Sequence, residues 1–429
     1  MPDSRPQPPR FPPSPSVPAD SATLLLCGAR LTDGRTVDVR LGGGRIEAVG
    51  TPGSLATGAV GARVDLRGYL LLPAPVEPHA HCDTALSADG TGDTRGSGGD
   101  GPEPPHPEEV HPEEVQRRAT EAALLQLGHG ATALRSHVRI GDGPGLDALA
   151  AVLRARRSLR GLAELTAVAM PGRLTGGAGA DGLAMLRDAV KMGATVVGGC
   201  PDADPDPTGY VEAVLQIASE FGCPVDLHTD ARDPVRLSRL AAMAGGLRPG
   251  VTLGPCGGLG RLPAGTAARL ADRLAAAQVT VVCLPQGGCG GVGRRGTAPV
   301  RLLRSAGVRV AAGSGALRDP ANPVGRGDPL EAAYLLASRY GLPAEDAYDM
   351  VSAAARAALG LPEVRVEAGF PAELLAVRAD GLAGALSLAY SRVVIHRGRL
   401  VARTSAVREY CDSAAVALEL PRQGRAEPS

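Results

Sequence analysis

The stretch LLLPAPVEPHAHCD, residues 70–83, contains the two features that decide the fold. Its first half, residues 70–76, is a short apolar run that predicts a buried β-strand, and its second half places His79 and His81 directly after that strand. Because alternate residues of an extended segment share one face, both imidazoles are expected to point in the same direction. Two histidines placed in this way form half of a metal site.

The rest of the chain alternates short apolar runs with segments that carry one apolar helical face. This alternation is typical of βα units and therefore of a parallel sheet. The predicted strands are residues 70–76, 132–138, 165–170, 195–199, 224–228, 251–254, 279–284 and 308–312. The predicted helices are residues 112–127, 146–159, 183–192, 210–221, 329–340 and 344–359. Eight parallel strands close a (β/α)8 barrel of the TIM type, in which the reacting groups lie at the C-terminal ends of the strands.

Segments on both sides of the barrel predict a smaller β-domain. Its N-terminal runs are punctuated by glycine and indicate a small antiparallel sheet, which two later runs are expected to join. These runs are residues 24–31, 36–41, 45–49, 64–72, 372–377 and 392–402. The predicted organisation is a disordered proline-rich tail at 1–20, the β-domain at 21–69 and 366–415, the barrel at 70–365, a low-complexity loop at 90–107 and a flexible tail at 416–429.

The composition limits the classes of partner. Basic and acidic side chains number 45 each, so the net charge does not favour binding to nucleic acid or to an acidic membrane surface. The first residues contain no apolar run long enough for a secretion signal or a membrane span. The eight cysteines are scattered, which predicts reduced and mostly buried thiols. We therefore expect a cytoplasmic protein that binds a small molecule, and the sequence leaves its oligomeric state open.

A third histidine lies at another predicted strand end. Residues 226–230 read DLHTD, and they place His228 at the end of predicted strand five. Three imidazole ligands suffice to hold zinc or a similar divalent ion. We therefore predict one divalent metal ion, zinc or iron, bound by His79, His81 and His228.

These residues resemble the cytosine deaminase branch of the amidohydrolase superfamily, over about residues 24–402. The matching stretches are LPAPVEPHAH (72–81), RSHV (135–138), KMGATVVG (191–198), VDLHTD (225–230), RDPANP (318–323) and GFPAELL (369–375). The resemblance implies an ancestral metal-dependent hydrolase of carbon–nitrogen bonds in cyclic amidines. In that family one divalent ion is held by the strand-one pair, the strand-five histidine and a strand-eight aspartate.

Three of these four ligands carry over, as His79, His81 and His228. The fourth does not, because counting back from Asp319 places the aspartate position on Gly315. The resemblance implies that this aspartate also takes the proton of the attacking water, so its loss removes both a ligand and a base. Metal binding is therefore predicted to be weaker than in an intact four-ligand site.

Three further family positions are substituted. The proton-shuttling glutamate after the strand-five histidine is Ala231, the strand-six histidine that orients hydroxide falls on Pro255, and the substrate-reading glutamine after strand three falls on Gly172. None of these side chains can move a proton or bind a metal. The inherited mechanism is therefore predicted to be broken. The only lysine, Lys191, precedes strand four, so it cannot supply the carboxylated-lysine bridge of two-metal relatives, and at most one ion is expected.

Five other polar residues are candidate pocket residues: Asp83, His137, Asp230, Cys256 and Asp319. Asp230, Cys256 and Asp319 lie close in sequence to the substituted positions and are candidate replacements, although Cys256 also fits a buried structural thiol. Asp83 follows the histidine pair and His137 ends predicted strand two. Each of these two residues fits a place in the pocket lining and a local hydrogen bond equally well.

Three functions are compatible with these patterns. The substitutions favour a binding or regulatory protein that keeps the barrel and a weak metal site. The intact histidines favour an active amidohydrolase with a rewired set of acids and bases. The third alternative is a barrel whose histidines are only structural. Metal analysis separates the third alternative from the others, and turnover assays separate the first two.

Overall fold

The computed structural model describes residues 23–56, 61–88, 111–141, 145–287, 296–388 and 390–406. The predicted tails at 1–20 and 416–429 and the predicted loop at 90–107 lie outside the described residues. Within the described ranges, no helix is long and apolar enough to cross a membrane.

Five short strands form the N-terminal part of the small β-domain: β1 (Leu24–Arg30), β2 (Thr36–Gly42), β3 (Arg45–Gly50), β4 (Ala62–Asp65) and β5 (Tyr69–Pro73). The prediction of one strand at residues 64–72 was wrong, because a turn at Gly68 separates β4 from β5. Gly68 has a φ of +79°, which glycine adopts without steric cost. Strand β1 runs antiparallel to β2 but parallel to β4 and β5, so the sheet is mixed and not antiparallel as predicted.

Eight parallel strands with alternating helices form a nearly closed barrel, which confirms the predicted fold class. They are β6 (Glu77–Ala80), β7 (Ala133–Ile140), β8 (Glu164–Pro171), β9 (Val196–Gly199), β10 (Val225–Thr229), β11 (Val251–Pro255), β12 (Thr280–Cys283) and β13 (Arg309–Ala312). The strands pair in chain order from β6 to β13. A parallel bridge between Ala80 and Gly315 brings the segment after β13 back to the first strand.

The first barrel strand lies further along the chain than predicted. The apolar run assigned to it largely forms β5, which belongs to the small sheet. Pro73 and Pro75 explain the break, because proline lacks the amide N–H that a strand inside a sheet donates. His79 therefore lies within β6, and His81 follows the last residue of that strand.

After the barrel strands come a hairpin of two strands and three strands of the small sheet: β14 (Leu317–Asp319), β15 (Asn322–Arg326), β16 (Leu374–Arg378), β17 (Arg392–His396) and β18 (Arg399–Thr404). The small sheet runs in the order β18-β17-β16-β5-β1-β2-β3, with β4 beside β1. Strand β16 pairs antiparallel with β5, so segments from both ends of the chain share one sheet. This arrangement confirms the predicted composite β-domain.

Eleven helices are found in the described ranges: α1 (Pro112–Gly128), α2 (Asp147–Ser158), α3 (Gly179–Met192), α4 (Pro207–Phe221), α5 (Pro234–Ala244), α6 (Ala264–Ala276), α7 (Val300–Ser305), α8 (Pro329–Ser338), α9 (Ala344–Val351), α10 (Ala353–Ala358) and α11 (Leu382–Leu388). Helices α5, α6 and α7 were not predicted. A start signal for α5 is present, because Asp233 accepts hydrogen bonds from the amides of Val235 and Arg236. The helix predicted at residues 344–359 is interrupted at Ser352, between α9 and α10.

Candidate metal centre

Four histidines from three barrel strands meet at the C-terminal side of the barrel. His79 and His81 come from β6 and the residue after it, His137 comes from β7, and His228 comes from β10. Each offers one ring nitrogen, and these four atoms all lie within 4.8 Å of one another. The structure therefore brings together the three histidines that the sequence predicts as metal ligands and adds His137, which was predicted only to line the pocket.

The four imidazole rings pack against one another. The ring centroid of His79 lies 4.2 Å from that of His137 and 4.5 Å from that of His228. The rings of His137 and His228 are 4.6 Å apart. The His81 ring lies between 5.2 and 5.5 Å from the other three. Four rings at these distances form one cluster instead of four separate structural contacts.

Burial keeps three of these imidazoles, those of His79, His81 and His228, neutral. It lowers the pKa of His79, His81 and His228 well below the usual value for histidine, and the adjacent imidazole of His137 lowers it further. A neutral imidazole carries a lone pair on one ring nitrogen, and this is the form that binds a metal ion. The protonation state of His79, His81 and His228 is therefore the one that a metal site requires.

The cluster also fits a cation by its hydrogen bonding. Nε2 of His81 and Nε2 of His228 are buried and have no hydrogen-bond partner among the described residues. An unsatisfied buried acceptor is destabilising, so these atoms are explained if a cation lies between them. Imidazole nitrogens suit zinc or ferrous iron, whereas magnesium and calcium prefer oxygen ligands.

A buried ion pair adjoins the histidines. Nη1 of Arg135 donates to Oδ2 of Asp226 at 2.9 Å, and the two side chains are 3% and 0% exposed. Oδ1 of Asp226 lies 3.3 Å from Nε2 of His137. The sequence analysis missed this pair. The available signal was the period of two, since Arg135 precedes His137 by two residues on β7 and Asp226 precedes His228 by two residues on β10.

Glu77 is a third buried ionisable residue that was not predicted from the sequence. It is fully buried at the start of β6. Its Oε1 accepts a hydrogen bond from the amide of His79 at 2.9 Å, and its Oε2 accepts hydrogen bonds from the amide and the hydroxyl of Ser314. Burial raises the pKa of Glu77 to about 7. Glu77 therefore links the first barrel strand to the segment after the last one and holds the backbone of His79.

Gly315 occupies the position at which the family resemblance places a metal-binding aspartate. It pairs with Ala80, the residue between His79 and His81. Its φ is +76°, a left-handed conformation that favours glycine, and a Cβ there would lie 3.2 Å from Leu284. The backbone at this position therefore opposes any residue with a side chain.

The other substituted positions also lie at strand ends. Pro255 ends β11 and pairs with Thr229, the residue after His228. Ala231 is buried and has a φ of +57°. Gly172 follows β8 and is exposed. These three residues, to which the resemblance assigns proton-transferring and substrate-binding roles, have apolar side chains or none.

Asp230 and Cys256 have local structural contacts. Oδ1 of Asp230 accepts a hydrogen bond from the amide of Gly258 at 2.9 Å, and its other carboxylate oxygen pairs with Arg232. These contacts hold the loop after β11. Cys256 lies in the same loop and is fully buried, and burial raises the pKa of its thiol, so the residue stays protonated. Neither side chain is available as a base without a rearrangement.

Asp83 differs from Asp319 in having an unsatisfied oxygen. Oδ2 of Asp83 accepts a hydrogen bond from the amide of Arg139 at 3.2 Å, whereas its Oδ1 is buried without a partner among the described residues. Burial raises the pKa of Asp83. Oδ1 of Asp319 instead accepts hydrogen bonds from the amides of Ala321 and Asn322, both at 2.9 Å. Of the predicted pocket residues Asp83, Asp230 and Asp319, Asp83 is therefore the one with a carboxylate oxygen left for a ligand.

Comparisons with known proteins agree with this architecture. The sequence profile of the amidohydrolase family matches residues 109–402. A pterin deaminase from Rhizobium rhizogenes is 30% identical over 238 residues, which cover 51% of this chain and 54% of that protein. The match thus spans about half the length of this curated relative.

Solved structures extend the comparison to most of the chain. The N-isopropylammelide isopropylaminohydrolase from Burkholderia multivorans has a TM-score of 0.79 at 28% identity, covering 90% of this chain and 100% of that one. The 5-methylcytosine deaminase from Klebsiella pneumoniae, liganded with 5-fluorocytosine, has a TM-score of 0.76 at 24% identity and covers 91% and 100% of the two chains. The second of these likenesses concerns the fold.

Proposed function

The chain belongs to the amidohydrolase family, and from this premise we propose that it is a degenerate member that binds a divalent ion and a small ligand without catalysing the inherited hydrolysis. The proposal is based on the side chains at three strand ends. Gly315, Pro255 and Ala231, at three strand ends, replace the implied base, orienting histidine and proton shuttle, while the histidine cluster beside them is intact.

The ion in this proposal is zinc or iron, held by His79, His81 and His228. When bound, such an ion supplies Lewis-acid chemistry. The chain's own part is to present neutral imidazoles and to fix their backbone through Glu77. At Gly315, Pro255 and Ala231 the chain has no side chain that can move a proton. The loss of one general acid or base typically lowers the reaction rate by a factor on the order of 10² to 10⁴.

The ligand in this proposal is a small nitrogen heterocycle. The related proteins are named for pterin, 5-methylcytosine and N-isopropylammelide, and all three are nitrogen-containing rings. The unsatisfied Oδ1 of Asp83 supports this class of ligand, because a carboxylate accepts hydrogen bonds from amino and ring N–H groups. The balanced charge of the chain gives no reason to propose a nucleic acid or a membrane as partner.

The proposal predicts that the zinc-loaded protein releases no ammonia or amine from cytosine, 5-methylcytosine, pterin or N-isopropylammelide above a heat-treated control. The reason is the combined loss of base, shuttle and orienting histidine. The measurement is a coupled ammonia assay supported by mass spectrometry of the products, together with direct binding of each compound by calorimetry. Binding without turnover is the expected result, and turnover at ordinary enzyme rates with any of these compounds would show the proposal to be wrong.

A rewired hydrolase is the second candidate function, and Asp83 is the observation that favours it. Its buried carboxyl has a raised pKa and a free oxygen, which are properties of a general base or acid. If the screen finds turnover, Asp83→Asn should remove at least about 99% of it. An Asp319→Asn protein is the matched control, because the Asp319 carboxylate is engaged by backbone amides.

Restoring the substituted residues should strengthen metal binding more than turnover. In the Gly315→Asp/Ala231→Glu protein the new aspartate offers a further ligand, whereas catalysis still lacks groups at Pro255 and Gly172. Gly315 has a positive φ, which costs roughly 1 kcal/mol for a residue with a side chain, whereas Ala231 already carries a Cβ at positive φ. Zinc titration and the same turnover screen test this prediction, with Gly315→Asn/Ala231→Gln as the neutral control. Turnover at ordinary enzyme rates with unchanged zinc affinity would contradict it.

A further inference from the structure

The geometry points to His137 as a fourth metal ligand, which takes the place of the carboxylate that is missing at Gly315. This inference rests on the proposed metal site and assigns His137 a role that the family resemblance does not imply. Its starting point is that one ring nitrogen of His137 lies within 4.8 Å of a ring nitrogen of each of the other three histidines.

The position of the ring proton of His137 follows from a backbone contact. Nδ1 of His137 lies 3.3 Å from the carbonyl oxygen of Ala80. A carbonyl oxygen can only accept a hydrogen bond, so in a neutral ring Nδ1 carries the proton and Nε2 carries the lone pair. Histidines that bind metals commonly donate their other ring N–H to a backbone carbonyl in this way. The contact with Ala80 thus prepares Nε2 of His137 for a metal ion.

The surroundings of Nε2 of His137 also favour a metal ion. Nε2 of His137 is buried and has no hydrogen-bond partner among the described residues, like Nε2 of His81 and Nε2 of His228. Oδ1 of Asp226, which lies 3.3 Å from Nε2 of His137, also has none. Three ring nitrogens and one carboxylate oxygen without hydrogen-bond partners among the described residues thus belong to one cluster. A bound cation accounts for all four, because a neutral imidazole can present a lone pair to it and the carboxylate is negatively charged.

The negative charge of Asp226 beside the histidine cluster also favours a metal ion. The missing aspartate would have carried a negative charge next to the ion, and Asp226 carries one beside His137. Arg135 pairs with the other oxygen of Asp226, so the carboxylate is held in place while Oδ1 remains unsatisfied. A ligand set of imidazole nitrogens should favour zinc over manganese and magnesium. The competing explanation is a protonated His137 that forms an ion pair with Asp226.

Nitrogen NMR separates these two explanations without any substitution. The full chain is labelled with ¹⁵N in its histidine rings, stripped of metal with a chelator and titrated with one equivalent of zinc. We expect the ring signals of four of the eight histidines to shift, including one whose Nδ1 stays protonated. Shifts of only three, with a fourth ring that is protonated on both nitrogens before and after zinc, would overturn the assignment of His137 and leave the proposed metal site intact. No shift at all would overturn both.

Zinc affinity provides the second measurement. His137→Ala should weaken zinc binding by at least about 100-fold in a chelator-competition assay. Replacing a residue that only hydrogen-bonds to a metal-binding side chain typically weakens metal affinity by about 10- to 100-fold. His111→Ala is the matched control, because this histidine is exposed and its side chain caps no helix. Circular dichroism of the metal-free proteins verifies that both fold. A loss of affinity smaller than about 100-fold would show that His137 is not a ligand.

Discussion

The His79→Ala/His81→Ala protein is expected to retain no zinc after incubation and dialysis, whereas the unchanged protein retains one ion per chain. Zinc sites with four ligands contribute about 10–16 kcal/mol of binding free energy, so each ligand contributes roughly 3 kcal/mol. Loss of two ligands should therefore weaken binding by more than about 10⁴-fold. Plasma emission spectroscopy gives the metal content, and chelator competition gives the affinity.

The control for this experiment is His111→Ala, which removes an exposed histidine. It should bind zinc like the unchanged protein. Two outcomes would contradict the proposed site: undiminished zinc in the double variant, or two ions per chain in the unchanged protein. The metal-free double variant should fold normally, because alanine at these positions removes the unsatisfied Nε2 of His81 along with the ligand.

The Asp226→Ala protein is expected to be less stable by about 3–5 kcal/mol in its metal-free form. The substitution leaves the guanidinium of Arg135 charged and buried, with an exposed fraction of only 3%. Breaking a buried pair by removing one partner is costly for this reason. Urea unfolding, followed by circular dichroism in the presence of a chelator, measures the free energy of unfolding.

Two further variants show whether burial is the cause. Arg117→Ala removes an arginine whose side chain is 61% exposed and which pairs with Glu114, so its effect should stay below about 1 kcal/mol. The double variant Arg135→Met/Asp226→Leu removes both charges and should be more stable than Asp226→Ala. An Asp226→Ala protein that loses no more stability than Arg117→Ala would show that this ion pair is not important for the fold.

Most of the barrel could be predicted from the sequence, because its strands are apolar runs that differ clearly from the helices between them. The run at residues 165–170, for example, lies entirely inside β8. The first strand was misplaced because the apolar run before Pro73 is as buried as a barrel strand but pairs with β16. Hydrophobicity indicates burial, and it does not indicate which of two sheets buries the strand.

The histidine pair and His228 could be predicted because strand ends converge in a barrel. The period of two places Arg135 on the face of His137 and Asp226 on the face of His228, but it does not show that the two side chains form an ion pair, since they are 91 positions apart and the curvature of the barrel brings them together. The left-handed backbone at Ala231 and Cys256 was equally hidden, because such conformations are normally signalled by glycine or asparagine.

Strand β5 is synthesised long before β16, its partner in the small sheet. Tyr69 on β5 lies opposite Arg378 on β16, roughly 300 residues later in the chain. A ribosome adds about 5–20 residues per second, so about 15 to 60 s pass between the synthesis of β5 and that of β16. The unpaired N–H and C=O groups of a strand edge are free to pair with strands of other chains during that time. All eight barrel strands are therefore synthesised while this edge is still open, and β16 closes it.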